Sequence, residues 1–187
     1  RGGFSPTSKW TDLAKELAES QPLPESVHEL LSEIMLETGE TVILAAPDGV
    51  NAVFLDVVES NAVIKFTAQR GERSPIHITS LGRALLSQYT TSERMLILKK
   101  VKFEAFTDTE FMSAKLVEDS ILKSKKNGWY VNVAEEEGLA GIGVPFHFRD
   151  RCYAIAIGAP VSRIKKSVGD TGRLLRDMVN KFLENEK

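Results

Sequence analysis

At 187 residues, 42% hydrophobic and 27% charged, the chain has the make-up of one folded domain with a short appendage. A formal net charge of −2 and a pI near 6.0 argue against a nucleic-acid-binding face. The lone cysteine excludes an internal disulfide framework and suits a reducing cytoplasm, and no apolar run approaches the roughly 20 residues that a membrane helix needs.

Residues 1–19 differ in kind from the rest: RGGFSPTSKW is loop-like, and Trp10–Ala18 has the spacing of a short amphipathic helix. The chain begins with Arg1, which fits a piece of something longer. Pro22 and Pro24 then precede a strong helix, with Val27, Leu30, Leu31, Ile34 and Met35 on one face and Gly39 as its C-terminal stop. TVILAA (41–46), NAVFLDVV (51–58) and NAVIKFTAQ (61–69) read as three strands of an antiparallel meander, with turns at Pro47-Asp48-Gly49 and Ser60-Asn61. Helices are predicted at about 80–89, 91–100 and 110–127, with capping-box spacings at Thr90/Glu93 and Thr107/Glu110. Gly128 ends the third, Trp129–Val133 resumes strand, and a hairpin turning at Arg149-Asp150 follows. A final helix over about 165–184 carries Val168, Leu175, Met178, Val179 and Phe182 on one side. Strands in runs, not alternating with helices, favour an α+β domain over a doubly wound sheet.

The hairpin has two unlike faces. Ile142, Val144, Phe146 and Phe148 with Tyr153, Ile155, Ile157 and Ala159 form an ordinary core face. The other face carries Gly141, Gly143 and Pro145 with Ala154, Ala156 and Gly158, almost without side chains. Such a surface suits either close packing of a helix or the floor of a ligand pocket. Thr79 is placed to cap the helix after it, which leaves the N–H groups of Ser80, Leu81 and Gly82 in the first turn, where a carboxylate or phosphate can be held.

Catalytic signals are thin. His147 and Cys152 face each other across the hairpin tip, a pairing that can activate a thiol, but no third group or oxyanion donor accompanies them. His28, His77 and His147 lie far apart, so neither a metal nor any other cofactor is indicated. Glu135-Glu136-Glu137 reads as a solvated acidic loop, and the clusters Lys99-Lys100, Lys123-Lys125-Lys126 and Arg163-Lys165-Lys166 as solvated helix faces.

Four ordered stretches resemble one family. GERSPIHITSLGRALL (71–86) is similar to the G-x-x-x-P-L-H-A-T-A-L-G-K-A segment of the IclR family of bacterial transcription regulators. GWYVNVAEEEGLAGIGVP (128–145), IAIGAPVSRI (155–164) and LLSEIMLETGETVILAAPDG (30–49) resemble three further segments in the right order. The resemblance implies a GAF-like or profilin-like antiparallel sheet of about six strands flanked by helices over 20–187. It also implies that residues 1–19 are the end of a DNA-binding wing and its linker helix, with the winged helix-turn-helix itself missing.

The function so implied is sensing of a small organic acid and oligomerisation as a homodimer or homotetramer, with no enzymatic activity. Operator DNA would be reached only through the missing domain, and no membrane is involved. By position, the effector site falls on Val63, Ser80, Leu81, Asn132, Gly141, Ala156 and Gly158. The family's Asp, Cys and two Ser are here Asn132, Gly141, Ala156 and Gly158. A site built for pyruvate or glyoxylate would not keep those changes. The implied effector is an aromatic or longer acid, and the alternative is a free-standing GAF-like sensor or scaffold with no effector.

Overall fold

A computed structural model describes residues 23–103, 113–134, 137–165 and 167–186. The expected linker helix at Trp10–Ala18, the Thr107/Glu110 capping box, Glu135 and Glu136 lie outside the described residues.

The chain runs α1 (Glu25–Thr38), β1 (Thr41–Asp48), β2 (Asn51–Val58), β3 (Arg73–Pro75), α2 (Ser80–Leu86), α3 (Thr91–Leu98) and α4 (Ala114–Lys125). It continues with β4 (Tyr130–Ala134), β5 (Leu139–Phe148), β6 (Arg151–Pro160), α5 (Val161–Ile164) and α6 (Val168–Asn185). The six strands form one antiparallel sheet in the order β3-β2-β1-β6-β5-β4, the α+β architecture expected.

Each sheet face buries its own helices. On one, α1 and α6 cover Val42, Leu44, Ile142, Val144, Phe146, Ile155 and Ile157. Val27, Leu30, Leu31 and Ile34 are the buried stripe of α1, and Leu175 and Val179 that of α6. Gly39 ends α1 at φ 72°, a left-handed conformation that glycine adopts without steric cost, and its N–H bonds the Met35 carbonyl at 2.8 Å. On the other face, α2, α3 and α4 cover Ile43, Ala45, Phe54, Tyr130, Ala154 and Ala156.

Two expectations change. The third strand is not at 61–69 but is the short β3, which pairs with β2 only at Asn51–Val53. The intervening chain is held otherwise: the Thr41 hydroxyl donates to the Phe66 carbonyl at 2.6 Å, and the Ser60 hydroxyl to that of Gly39 at 2.5 Å. The helices are shorter. After α2, the N–H groups of Gln88 and Tyr89 turn back to Leu85 and Leu86, a 3₁₀-like end. In α4 the cap is Ser113, whose hydroxyl accepts from Leu116 N. The Thr90/Glu93 box is present in full, and the hairpin turns at Arg149 and Asp150, both at positive φ.

Candidate functional site

The strand registers assemble one row of residues across four strands. Asn132 pairs with Gly141, Gly141 with Gly158, and Gly158 with Thr41. Antiparallel partners share a face, so all four positions lie on the side covered by α2. Two adjacent glycines thus form the centre of the row, with a carboxamide at one end and the fully buried Thr41 hydroxyl at the other. The next row is Tyr130, Gly143, Ala156 and Ile43.

The glycine floor is covered. A Cβ on Gly141 would stand 2.6 Å from the Ser80 hydroxyl, and one on Gly143 would stand 2.7 Å from the Ser80 carbonyl oxygen and 3.1 Å from Leu81 N. A Cβ on Gly158 would meet the Phe66 ring at 2.8 Å. The first turn of α2 and the side chain of Phe66 therefore occupy the space above the small residues. The final helix does not; it packs on the opposite face, where Gly172 lies against Trp129.

Local sequence explains the seating of α2. Thr79 caps it, accepting from Gly82 N at 3.0 Å. Gly82 lets the carbonyl of Ile76 lie directly against the helix, where any Cβ would collide. With Ser80, Leu81, Ala84, Leu85 and Leu86 all buried, the helix is pressed flat on β5. Its first turn faces the strand rather than open space.

Six of the seven expected site residues come together. Asn132, Gly141 and Gly158 are in one row, Ala156 is in the next, and Ser80 and Leu81 lie above. Val63 does not join them: it is 100% exposed. From the same segment it is Phe66 that reaches the row, half-buried over Gly158. Reading 61–69 as a strand hides Phe66, because a strand there sends alternate residues to fixed faces of the sheet. Arg83 of α2 also reaches this part of the sheet. Its Nη1 donates to the Val131 carbonyl at 2.8 Å, at the Asn132 end of the row.

The segment bearing Phe66 is tied to the rest of the domain by ions. Arg163 of α5 donates twice to the buried Glu40 carboxylate, Nε to Oε1 at 2.5 Å and Nη2 to Oε2 at 2.7 Å, and once to the Ile64 carbonyl at 2.9 Å. At the hairpin tip, Cys152 Sγ lies 3.8 Å from His147 Nδ1. Burial pushes the thiol's pKa up, and Glu93 adds to that, the direction opposite to the one that activates a cysteine. Among the described residues no three His, Cys, Asp or Glu side chains converge as a metal site, and no helix is long and apolar enough to cross a membrane.

With this geometry in view, three comparisons bear on the chain. The family model for the bacterial transcriptional regulator IclR C-terminal domain matches residues 15–182. The probable transcriptional regulator SauR of Cupriavidus necator is 27% identical over 166 residues, which cover 84% of this chain and 66% of that protein. The acetate operon repressor of Salmonella typhimurium is 28% identical over 153 residues, covering 78% of this chain and 55% of the repressor. The chain thus spans between half and two thirds of the length of these relatives. The crystal structure of the Thermotoga maritima IclR superposes with a TM-score of 0.74 at 22% identity, covering 94% of this chain and 74% of that one, a likeness of fold.

Proposed function

The chain belongs to the IclR C-terminal family of bacterial transcriptional regulators, and from that premise we propose that it is the effector-sensing and self-associating part of such a regulator. Its ligand is a small organic acid, bound on the row Asn132–Gly141–Gly158–Thr41 beside Ser80, Leu81 and Ala156. The winged helix-turn-helix that would contact operator DNA is a separate part of the full protein.

One observation carries this reading: a side-chain-free floor with polar ends, covered at Gly141 and Gly143 by the first turn of α2 and at Gly158 by one aromatic side chain whose segment is not part of the sheet. Swinging Phe66 off Gly158 opens that end of the floor without breaking a strand pair, and a turn of the Ser80 side chain uncovers Gly141 beside it. A ligand that binds only the open form shifts the population toward it by its differential affinity. Because Ile64, two residues from Phe66, accepts a hydrogen bond from Arg163, the movement is felt at α5 and at the start of α6. That is a route by which occupancy reaches an attached domain.

The filled floor also favours a second reading, in which Phe66 is permanent packing and the domain is a scaffold without an effector. Thermal unfolding with a panel of aliphatic and aromatic acids decides between them. At a concentration 100 times the dissociation constant, a bound acid adds about 2.7 kcal/mol of stability. A melting temperature that no acid raises would leave the scaffold.

A further inference from the structure

Three of the four buried side-chain polar atoms without a hydrogen-bond partner among the described residues fall within residues 74–83: Ser74 Oγ, His77 Nδ1 and Arg83 Nε. Gly82 explains why two of them are neighbours. With the Ile76 carbonyl pressed against Gly82, the turn that carries His77 lies on the helical turn that carries Arg83. His77 is only 8% exposed, its ring set edge-on to Phe103 with centroids 5.2 Å apart.

Arg83 leans, as helical side chains do, toward the N-terminal end of α2. Its Nη1 bonds the carbonyl of the peptide that joins Val131 to Asn132, so the guanidinium stands at the carboxamide end of the glycine row. That bond uses one nitrogen. The Nε–Nη2 edge is the side that receives a carboxylate through two parallel hydrogen bonds. It has no partner among the described residues, and Nε is buried. Burial holds the Arg83 pKa below its usual value, and burial followed by Arg83 does the same to His77. A desolvated guanidinium with no anion among the described residues is costly unless an anion arrives.

We propose that Arg83 is the carboxylate seat of the effector site, with His77 beside it, and that the ligand is an arylalkanoate whose ring takes the place of Phe66 over Gly158. This rests on the effector-sensing reading. Phe66 shows that a phenyl ring fits above Gly158. Gly158 and Asn132 are two strand spacings apart, about 10 Å, so ring and carboxylate need a short linker between them, which passes over Gly141 once the Ser80 hydroxyl turns aside. 3-Phenylpropanoate has that form.

The test titrates the chain with 3-phenylpropanoate and with its uncharged amide, by calorimetry and by the ring resonances of His77. The acid is expected to bind at least tenfold more tightly than the amide and to shift the His77 resonances. Arg83→Gln should weaken the acid tenfold or more while leaving the amide unchanged, and Arg83→Lys, which keeps the charge but not the fork, should fall between. The His77 resonances of the unaltered chain give an answer even where Arg83→Gln fails to fold. Acid binding by Arg83→Gln within twofold of the parent, or still His77 resonances at saturation, would overturn the seat and leave effector sensing standing. Tighter binding of inorganic phosphate than of 3-phenylpropanoate would overturn it too. Failure of every acid in the panel to raise the melting temperature would remove the sensing reading along with it.

Discussion

A methyl group on Gly143 would stand 2.7 Å from the carbonyl oxygen of Ser80, a contact that real side chains do not make. The neighbour is backbone at the start of a buried helix, so relief requires α2 to lift from β5. Gly143→Ala is expected to cost about 1–3 kcal/mol, read as a lower midpoint of urea unfolding. Gly169, exposed near the start of α6, meets nothing within 4 Å, so Gly169→Ala should leave the stability unchanged or raise it by at most about 1 kcal/mol. Equal behaviour of the two variants would mean that α2 is not seated on β5.

Phe66→Ala and Gly158→Leu probe the same contact from its two sides. Removing the ring takes away the group with which the ligand competes. Phe66→Ala should therefore bind 3-phenylpropanoate more tightly than the parent, even though it melts lower for want of the buried ring. Gly158→Leu pushes the ring away but fills the floor itself. It should cost about 1–3 kcal/mol without ligand and abolish the rise in melting temperature with it. Weaker binding by Phe66→Ala would show that the ring belongs to the site's wall.

Much of the fold is legible in the residues because the long elements carry unmixed periods. The stripe of α1, the Thr90/Glu93 box and the strand pairing of the hairpin each have one physical reading, and the structure bears them out. The segment 61–69 does not. Val63 and Ile64 are adjacent apolar residues, 100% and 71% exposed, and no strand lies beside them. What shapes that stretch is a set of hydrogen bonds from Thr41, Ser60 and Arg163 to backbone oxygens far along the chain, which no local pattern announces. The small residues of the floor could be named from alternation alone. What covers them could not, because that depends on where α2 and Phe66 arrive from elsewhere in the sequence.

Arg94 and Glu118 form a buried bidentate pair between α3 and α4, Nε to Oε2 at 2.7 Å and Nη2 to Oε1 at 2.6 Å, with Arg94 only 2% exposed. Removing one partner strands the other, so Glu118→Ala should cost about 3–5 kcal/mol. The hydrogen bonds from Arg94 hold the Glu118 pKa below its ordinary 4.5. The pair's contribution is then complete above that value and lost as pH falls through the lower pKa of the folded state. Urea unfolding of the parent and of Glu118→Gln should show a stability gap that is constant near neutrality and closes in acid. A gap that widened in acid would contradict the pairing.

Cys152 should behave as a quiet thiol. With its pKa raised by burial and by Glu93, iodoacetamide near neutral pH should modify it more slowly than free cysteine. Cys152→Ser should keep ligand-induced stabilisation unchanged. Rapid alkylation, quenched by His147→Ala, would reopen a nucleophilic role for the tip.

The order of the sheet has a further consequence, for the birth of the protein. Strand β1 is flanked by β2, its immediate successor, and by β6, which leaves the ribosome long after it, as the pairing of Thr41 with Gly158 records. Until β6 emerges, the nascent chain holds a β1–β2 hairpin whose inner edge is open and rich in valine, isoleucine and leucine. Such an edge is a template for pairing with another chain, and closing it needs contacts between distant parts of the sequence, which form slowly. Stalled or truncated translation products of this domain would therefore be expected to aggregate through β1, and demand on chaperones should be greatest just before β6 is complete.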